Sequence, residues 1–398
     1  MRILDVSPRV VQPPARGSSV RTSNLLLRLA ERHEVRQFSQ ARLRGSDPEG
    51  SRGRTSCTTP YTELGFASPL ATLATEIGAR SWVRAPVLSG AGLVFAQPLR
   101  RLLRWAEVVV VEFPWQFAAC RRIRPEIPAV LATHNVEAAK FAGYAEAAGT
   151  PPTTRIWLRW IEELERRAVQ TADLVLAVSD ADRNELIRLY DVAPSRVVEV
   201  PNGADTVRYT PASLATKQAA RRALGLPECP TVLFAGSDVP PNRAGLTWVE
   251  RLAARAPHIT FLVTGAVAAP SRNGIVATGV VEDFGLALAA ADYALCPIEF
   301  AGGTKIKLLE GLAAGLPTVA FAESLHGLAL DGEVRVAPKS EEGLLAALEE
   351  LVADRELARR VAARGREWVV ANHDWCAIAQ RLGERLEEFR GAQALRVR

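Results

Sequence analysis

Tyr293-Ala294-Leu295-Cys296-Pro297, Ala301-Gly302-Gly303-Thr304-Lys305-Ile306-Lys307-Leu308-Leu309-Glu310, Gly311-Leu312-Ala313-Ala314-Gly315-Leu316-Pro317 and Thr318-Val319-Ala320-Phe321 follow one another almost without interruption. They read as a strand, a glycine loop, a helix, a glycine turn and a second strand. The two short apolar runs are continuous instead of alternating, the pattern of strands buried on both faces of a parallel sheet. A strand, a crossover helix and a parallel strand make one right-handed βαβ unit.

The same alternation extends outward in both directions. Strand-like runs are predicted at residues 2–6, 108–111, 129–132, 174–178, 197–200, 231–235 and 259–264. Helical segments fall between them at 22–31, 155–170, 180–190, 244–256 and 304–314. Such alternation predicts open parallel sheets with helices on their faces. Pro201-Asn202-Gly203-Ala204-Asp205 ends one strand in turn chemistry, and a polar helical stretch precedes the next strand at Thr231. The expected organisation is therefore a domain at 1–205, a second at 206–370, and a last helix within 371–398 that packs back on the first. Residues 42–60, rich in Gly, Ser and Arg, read as a mobile surface loop.

Composition narrows the class. At 398 residues the chain exceeds one ordinary core, and about 150 residues per domain gives two or three. Five scattered cysteines without a CxxC pair argue against a disulfide framework and a structural zinc site. The chain opens on a strand-like run, so the expectation is a cytoplasmic protein with no leader. No apolar run reaches the roughly 18–20 residues that span a bilayer. The net charge of +5 favours anionic partners. No aromatic–basic interleaving suggests a nucleic-acid surface. The apolar, arginine-bearing stretch 81–105 is compatible with peripheral membrane contact and equally with a buried helix pair.

Chemistry concentrates at the opening segment. A loop of Gly302 and Gly303 ahead of a helix beginning near Thr304 offers free N–H groups and the positive helix end, with Lys305 beside them. That combination suits a diphosphate. Glu310, further along the helix, is a carboxylate suited to the two hydroxyls of a ribose. A plain turn with an N-capping threonine and an exposed glutamate would use the same letters.

The segment resembles the Glu-x7-Glu region of glycosyltransferase family 4, and within it a Gly-Thr-Lys-x-Lys-x-x-Glu variant. Thr133-His134-Asn135-Val136-Glu137, Val178-Ser179-Asp180, Val200–Asp205, Phe234-Ala235-Gly236-Ser237 and Pro241-Asn242 resemble further family elements in the right order. The resemblance implies the α/β GT-B fold, two Rossmann-like domains with a cleft between them. It implies retaining transfer from a nucleotide-sugar donor, without metal or resident cofactor. Donor contacts carried over by this likeness are Gly17, Ser237, Arg243, Gly302, Gly303, Thr304, Lys305, Lys307 and Glu310. His134 is expected to touch the donor sugar, and Lys305 to stabilise the leaving group. Lys307, two helical positions from Lys305, is expected to matter less.

Two departures are visible. Gly302 stands where the family has the first glutamate, and Ser237 and Asn242 stand where basic residues are usual. The donor base, the sugar and the acceptor (a glycan, a lipid-linked or a small molecule) are left open. A nucleotide-sugar epimerase and a silent sugar-nucleotide-binding scaffold are the rival readings. Asp180-x-Asp182 reads as helix N-terminal charge, not as a metal motif, and Glu162, Glu163 and Glu165 read as a solvated helix face.

Overall fold

The computed structural model describes the chain except residues 9–10, 12–16, 42–54, 59–60, 68–89, 91–92, 148–153, 269, 273, 301 and 397–398. The chain divides into two compact units, Met1–Pro201 with Cys376–Arg398, and Asn202–Trp375.

The first unit carries β1 (Arg2–Ser7), β2 (Glu34–Ala41), β3 (Thr55–Thr58), β4 (Tyr61–Ala67), β5 (Val108–Glu112), β6 (Ala129–Ala132), β7 (Leu174–Ala177) and β8 (Val197–Glu199). Their order in the sheet is β3-β4-β2-β1-β5-β6-β7-β8. All neighbours are parallel except β3 with β4. The order reverses between β1 and β5, which makes the crevice beyond their carboxyl ends the place where such a sheet binds ligands. Leu4, Val6, Val109, Val111, Leu131 and Val175 fill the core. Helix Gln97–Trp105 turns Leu99 and Leu103 inward and leaves Arg100, Arg101 and Arg104 exposed. Helix Trp375–Arg396 belongs to this unit, with Leu382 and Leu386 buried and Arg390 bonded to Glu107.

The second unit carries β9 (Thr231–Ala235), β10 (Thr260–Thr264), β11 (Ile275–Gly279), β12 (Tyr293–Cys296), β13 (Thr318–Ala320) and β14 (Arg335–Val336). This sheet is wholly parallel in the order β11-β10-β9-β12-β13-β14. Numbered within the unit, that is the doubly wound order 3-2-1-4-5-6, with its switch point between β9 and β12. Gly245 lets helix Pro240–Arg255 lie close on the sheet, because a Cβ there would stand 3.0 Å from the Phe234 ring.

Three expectations need correction. Residues 55–58, read as part of a loop, form an edge strand; residues 42–54 and 59–60 of that reading, and 81–89 and 91–92 of the apolar stretch, lie outside the described residues. Helix 304–314 is Ile306–Ala313, preceded by Lys305 with extended backbone and no side-chain cap, so Thr304 is not its N-cap. Glu162 and Glu163 pair with Arg166 and Arg167 at the surface as expected, but Glu165 is completely buried.

Candidate active site

At the switch point of the first unit the buried polar residues gather. Asp5 lies within the buried run of β1, Glu112 ends β5, and His134 follows β6; all three are less than a tenth exposed. The His134 ring meets Glu112 Oε2 through Nε2 at 2.5 Å. Phe113 stacks on the other side of the imidazole, with centroids 4.1 Å apart and planes 17° from parallel. Phe113 holds φ 74° and ψ 155°, a backbone region almost reserved for glycine. Strain of this kind costs about 1–3 kcal/mol and persists where the surroundings impose it, commonly at functional sites.

The charges here are arranged unequally. Burial, then the neighbouring Glu112 charge, pushes the Asp5 carboxyl well above the usual carboxylate range. Burial alone would raise Glu112 too, but His134, Arg21 and the hydrogen from Asp5 outweigh it and hold Glu112 below its ordinary value. Asp5 Oδ1 accepts from Gln37 Nε2 at 2.9 Å, while its buried Oδ2 has no donor. Arg21, buried within helix Gly17–Leu29, donates to the carbonyls of Val200 and Pro201 at 2.7 and 2.8 Å. Burial pulls its guanidinium down to about 10.

The loop bearing His134 is pinned from below. Thr133 N–H and Oγ1 donate to the Leu176 carbonyl at 2.9 and 3.0 Å. Helix Glu137–Ala147 starts three residues after His134, and Glu165 from helix Thr154–Thr171 accepts its first N–H groups, Glu137 at 2.7 Å and Ala138 at 2.9 Å. Glu137 itself accepts from Asn135 Nδ2 at 2.9 Å and from Lys140. Gly17 opens its helix, and the residues just before it, 12–16, are outside the described set.

In the second unit the loops after β9 and β12 lie at the switch point. Gly303 has φ 69°, a left-handed turn that only glycine adopts cheaply, directly after Gly302. Thr304, buried, accepts at Oγ1 from Asn202 Nδ2 at 2.7 Å. Asn202 is held in turn, since its carbonyl lies 2.6 Å from His373 Nδ1. Read from sequence as a turn residue, Asn202 ties the glycine loop in place. Lys305 donates to the Gly303 carbonyl at 2.5 Å.

Lys307 goes elsewhere. Its Nζ donates to the Ala235 carbonyl at 2.8 Å and Asn242 Oδ1 at 2.7 Å, over the Phe234 ring at 4.9 Å. Burial lowers the pKa of this ammonium. Asn242 Nδ2 reaches the Ser237 carbonyl at 2.8 Å, so Lys307 and Asn242 together shape the loop that carries Ser237. Arg243 forms a two-point ion pair with Asp238 at 2.5 and 2.9 Å on an exposed surface. Glu299, the acidic residue nearest Gly302, accepts from Trp248 Nε1 at 3.0 Å.

Glu310 is the anomaly of this unit. The residue is 8% exposed and no hydrogen bond to its carboxyl is found among the described residues, yet its oxygens are not among the fully buried atoms without a partner. Burial pushes it up to about 8, with the charge of Arg208 offsetting only part of that rise. Holding a charge in this largely desolvated position costs free energy in the folded chain.

The two lysines separate experimentally. Lys307→Ala is expected to cost about 1.5–3 kcal/mol of fold stability, because two bonds from a half-buried cation are lost. Lys305→Ala gives up the bond to the Gly303 carbonyl and should, in addition, weaken nucleoside diphosphate binding by about 1.5–3 kcal/mol. Melting curves and calorimetric titration read the two effects. A Lys307→Ala variant that melts like wild type but no longer binds would reverse the assignment.

No group of three or more His, Cys, Asp or Glu suited to a metal ion occurs among the described residues. None of the described helices is long and apolar enough to cross a membrane.

Comparison with known proteins gives this geometry a context. Residues 15–208 match the family model described as Glycosyltransferase Family 4, and residues 229–354 the one described as Glycosyl transferases group 1. D-inositol 3-phosphate glycosyltransferase of Nocardioides sp. is 32% identical over 164 residues, which is 40% of this chain and 34% of that protein. The chain thus spans about a third of the length of that curated relative. Alpha-maltose-1-phosphate synthase of Mycolicibacterium smegmatis is 28% identical over 67% of this chain and 74% of its own. Among solved structures, sucrose-phosphate synthase from Thermosynechococcus elongatus aligns with a TM-score of 0.77 at 19% identity, covering 98% of this chain and 100% of that one. Anabaena Alr3699/HepE in complex with UDP and glucose aligns at 0.70 and 17%, covering 97% and 99%.

Proposed function

Starting from a chain that is a family 4-like glycosyltransferase in its domains and GT-B in its fold, we propose that it transfers a sugar from a nucleotide-sugar donor with retention of anomeric configuration. The observation that carries this reading is Glu310, a largely desolvated carboxyl with no hydrogen bond among the described residues, on the helix that follows the glycine loop. A carboxylate accepts from two neighbouring hydroxyls at once, which is what a ribose presents. The loop of Gly302, Gly303 and Thr304, with Lys305, takes the diphosphate, and Ser237 lies on the adjoining loop. Arg243 joins them only by leaving Asp238. The reaction needs no metal and no resident cofactor: positioning and stabilisation of the departing diphosphate by Lys305 and backbone N–H groups do the work. The first unit serves the acceptor, which is a glycan, a lipid-linked or a small molecule, and His134 hydrogen-bonds the sugar being transferred.

UDP-glucose is the first donor to test, because a neighbour in fold was solved with UDP and glucose. A donor that binds raises the melting temperature by mass action. Transfer or slow donor hydrolysis should then persist in EDTA, and NMR should show the donor's anomeric configuration kept in the first product. His134→Ala should lower kcat about 10- to 100-fold, one hydrogen bond at the transition state, with nucleotide affinity within about twofold. An inverted product would overturn retention, and activity abolished by EDTA and restored by Mg²⁺ would reveal a metal site. Binding of donors with no turnover over hours would favour the scaffold reading, for which Gly302 in place of a glutamate is the supporting observation.

A further inference from the structure

The Asp5–Glu112–His134 chain assigns a state to each hydrogen, and that assignment says which end of the imidazole is offered to a ligand. Asp5 Oδ2 is buried without a donor, beside Glu112. Two carboxyls side by side in a buried site cannot both ionise, so one holds a proton. Asp5 is the one raised, and the hydrogen it holds favours the ionised form of Glu112. Glu112, an ionised acceptor, then takes Nε2–H of His134 on Oε2 at 2.5 Å. Nδ1 has no hydrogen-bond partner among the described residues. Phe113, stacked on the ring and locked in its strained conformation, resists rotation of the imidazole.

We propose that Glu112 is a positioning residue that fixes His134 as the Nε2–H tautomer, so that Nδ1 is presented as a hydrogen-bond acceptor to a hydroxyl of the transferred sugar. The role given to the sugar rests on the proposed transferase activity; the tautomer does not. His134 with Nδ1 bare discriminates for a hydroxyl and against a carbonyl or ether oxygen at that point. The charged or titratable groups around the Asp5–Glu112 pair are His134, Glu63 on β4 and Arg21 on the helix after β1. Glu63 is engaged by Ser39 and by the Val11 N–H, and Arg21 by two backbone carbonyls, so neither competes for the imidazole.

Substitution of Glu112 by Gln should reverse the tautomer. The Asp5 hydroxyl would take the amide oxygen of Gln, leaving the amide N–H₂ to face His134 Nε2, which must then be the bare nitrogen. Asp5→Asn, with Oδ1 toward Gln37 and Nδ2 toward Glu112, imitates a protonated Asp5 and should keep the wild-type tautomer.

Nitrogen-15 spectra of imidazole-labelled protein read these states without any reaction. Wild type is expected to show Nε2 protonated and Nδ1 bare, Asp5→Asn the same, and Glu112→Gln the reverse. With a donor in hand, Glu112→Gln should lower kcat at least tenfold while nucleoside diphosphate affinity changes less than twofold. Nδ1–H in the wild type, or an unchanged tautomer in a folded Glu112→Gln, overturns the proposal. If Glu112→Gln fails to fold, the wild-type and Asp5→Asn spectra still decide it. Correct tautomers without turnover on any sugar nucleotide would leave the hydrogen assignment standing and sink the transferase reading instead.

Discussion

Glu310→Gln is expected to make the ligand-free protein more stable at neutral pH and to weaken its hold on a nucleoside diphosphate sugar. The two effects share one cause. The carboxyl titrates at about 8 in the folded chain, above the usual 4.5. For an acid raised on folding, the stabilising contribution is complete below about pH 4.5 and is lost as pH climbs toward 8. At pH 7 that loss is on the order of 3 kcal/mol, which a neutral amide avoids. Donor binding has the opposite sense, because two ribose hydroxyls favour the ionised acceptor. Affinity should fall in the order wild type, Gln, Ala, with a total loss of about 2–4 kcal/mol. The gap between wild type and Gln should be small at pH 6 and open above pH 8. Titration calorimetry at several pH values, with a 2′,3′-dideoxy nucleotide as control, measures it. If Glu310→Ala still discriminates fully against the dideoxy ligand, the ribose is held elsewhere.

A residue that destabilises its own fold is easily missed or misread in the letters. Glu310 was legible as a carboxylate on the helix after a glycine loop, because that spacing is local. Its burial was not, since it depends on how helix Ile306–Ala313 lies against its neighbours. The same division runs through the fold. Strands β6, β9 and β12 were legible to the residue, because Ala129–Ala132, Thr231–Ala235 and Tyr293–Cys296 are short apolar runs buried on both faces. β2 was not, because Gln37, Ser39 and Gln40 interrupt its apolar pattern. Those polar residues are buried, and they bond Asp5, Glu63 and Gln116 near the switch point. The site itself therefore hid the strand.

The dyad was half legible for a related reason. His134 stands in a motif that resembles a family element, so it was singled out. Glu112 ends an apolar strand as a lone acidic residue, and nothing local distinguishes it from a solvated strand end. The pairing is formed across the sheet, between neighbouring strand ends 22 residues apart in sequence. Thr304 and Asn202 are likewise joined over 102 residues, a separation at which turn chemistry carries no information.

Glu165→Ala is expected to cost about 3–5 kcal/mol of stability and to disorder the loop that carries His134. The reading of Glu165 as a surface residue failed because it was grouped with Glu162 and Glu163. Helical spacing groups it instead with Ile161, Ala168 and Val169, four back and three and four ahead, all buried. An acid on the apolar stripe is the signal that could have found it. Its carboxylate accepts the Glu137 and Ala138 N–H groups and, at 2.7 Å, the Tyr190 hydroxyl. Alanine leaves two buried donors and one part-buried donor unmet, at about 1–3 kcal/mol for each buried one before relaxation. Burial, against the pull of those donors and with some push from Glu137, raises the carboxyl to about 7. Its stabilising contribution is thus complete below about pH 4.5 and shrinks as pH rises toward 7. Glu165→Gln removes that slope but cannot accept from both N–H groups, so it should be less stable than wild type below about pH 4.5, with the gap narrowing as pH rises toward 7. Urea melts across that range measure both, and hydrogen exchange at Glu137 and Ala138 reports the helix start. A Glu165→Ala variant with wild-type stability and protected amides there would show that the helix is held by packing alone, and that the geometry of His134 does not depend on this carboxylate.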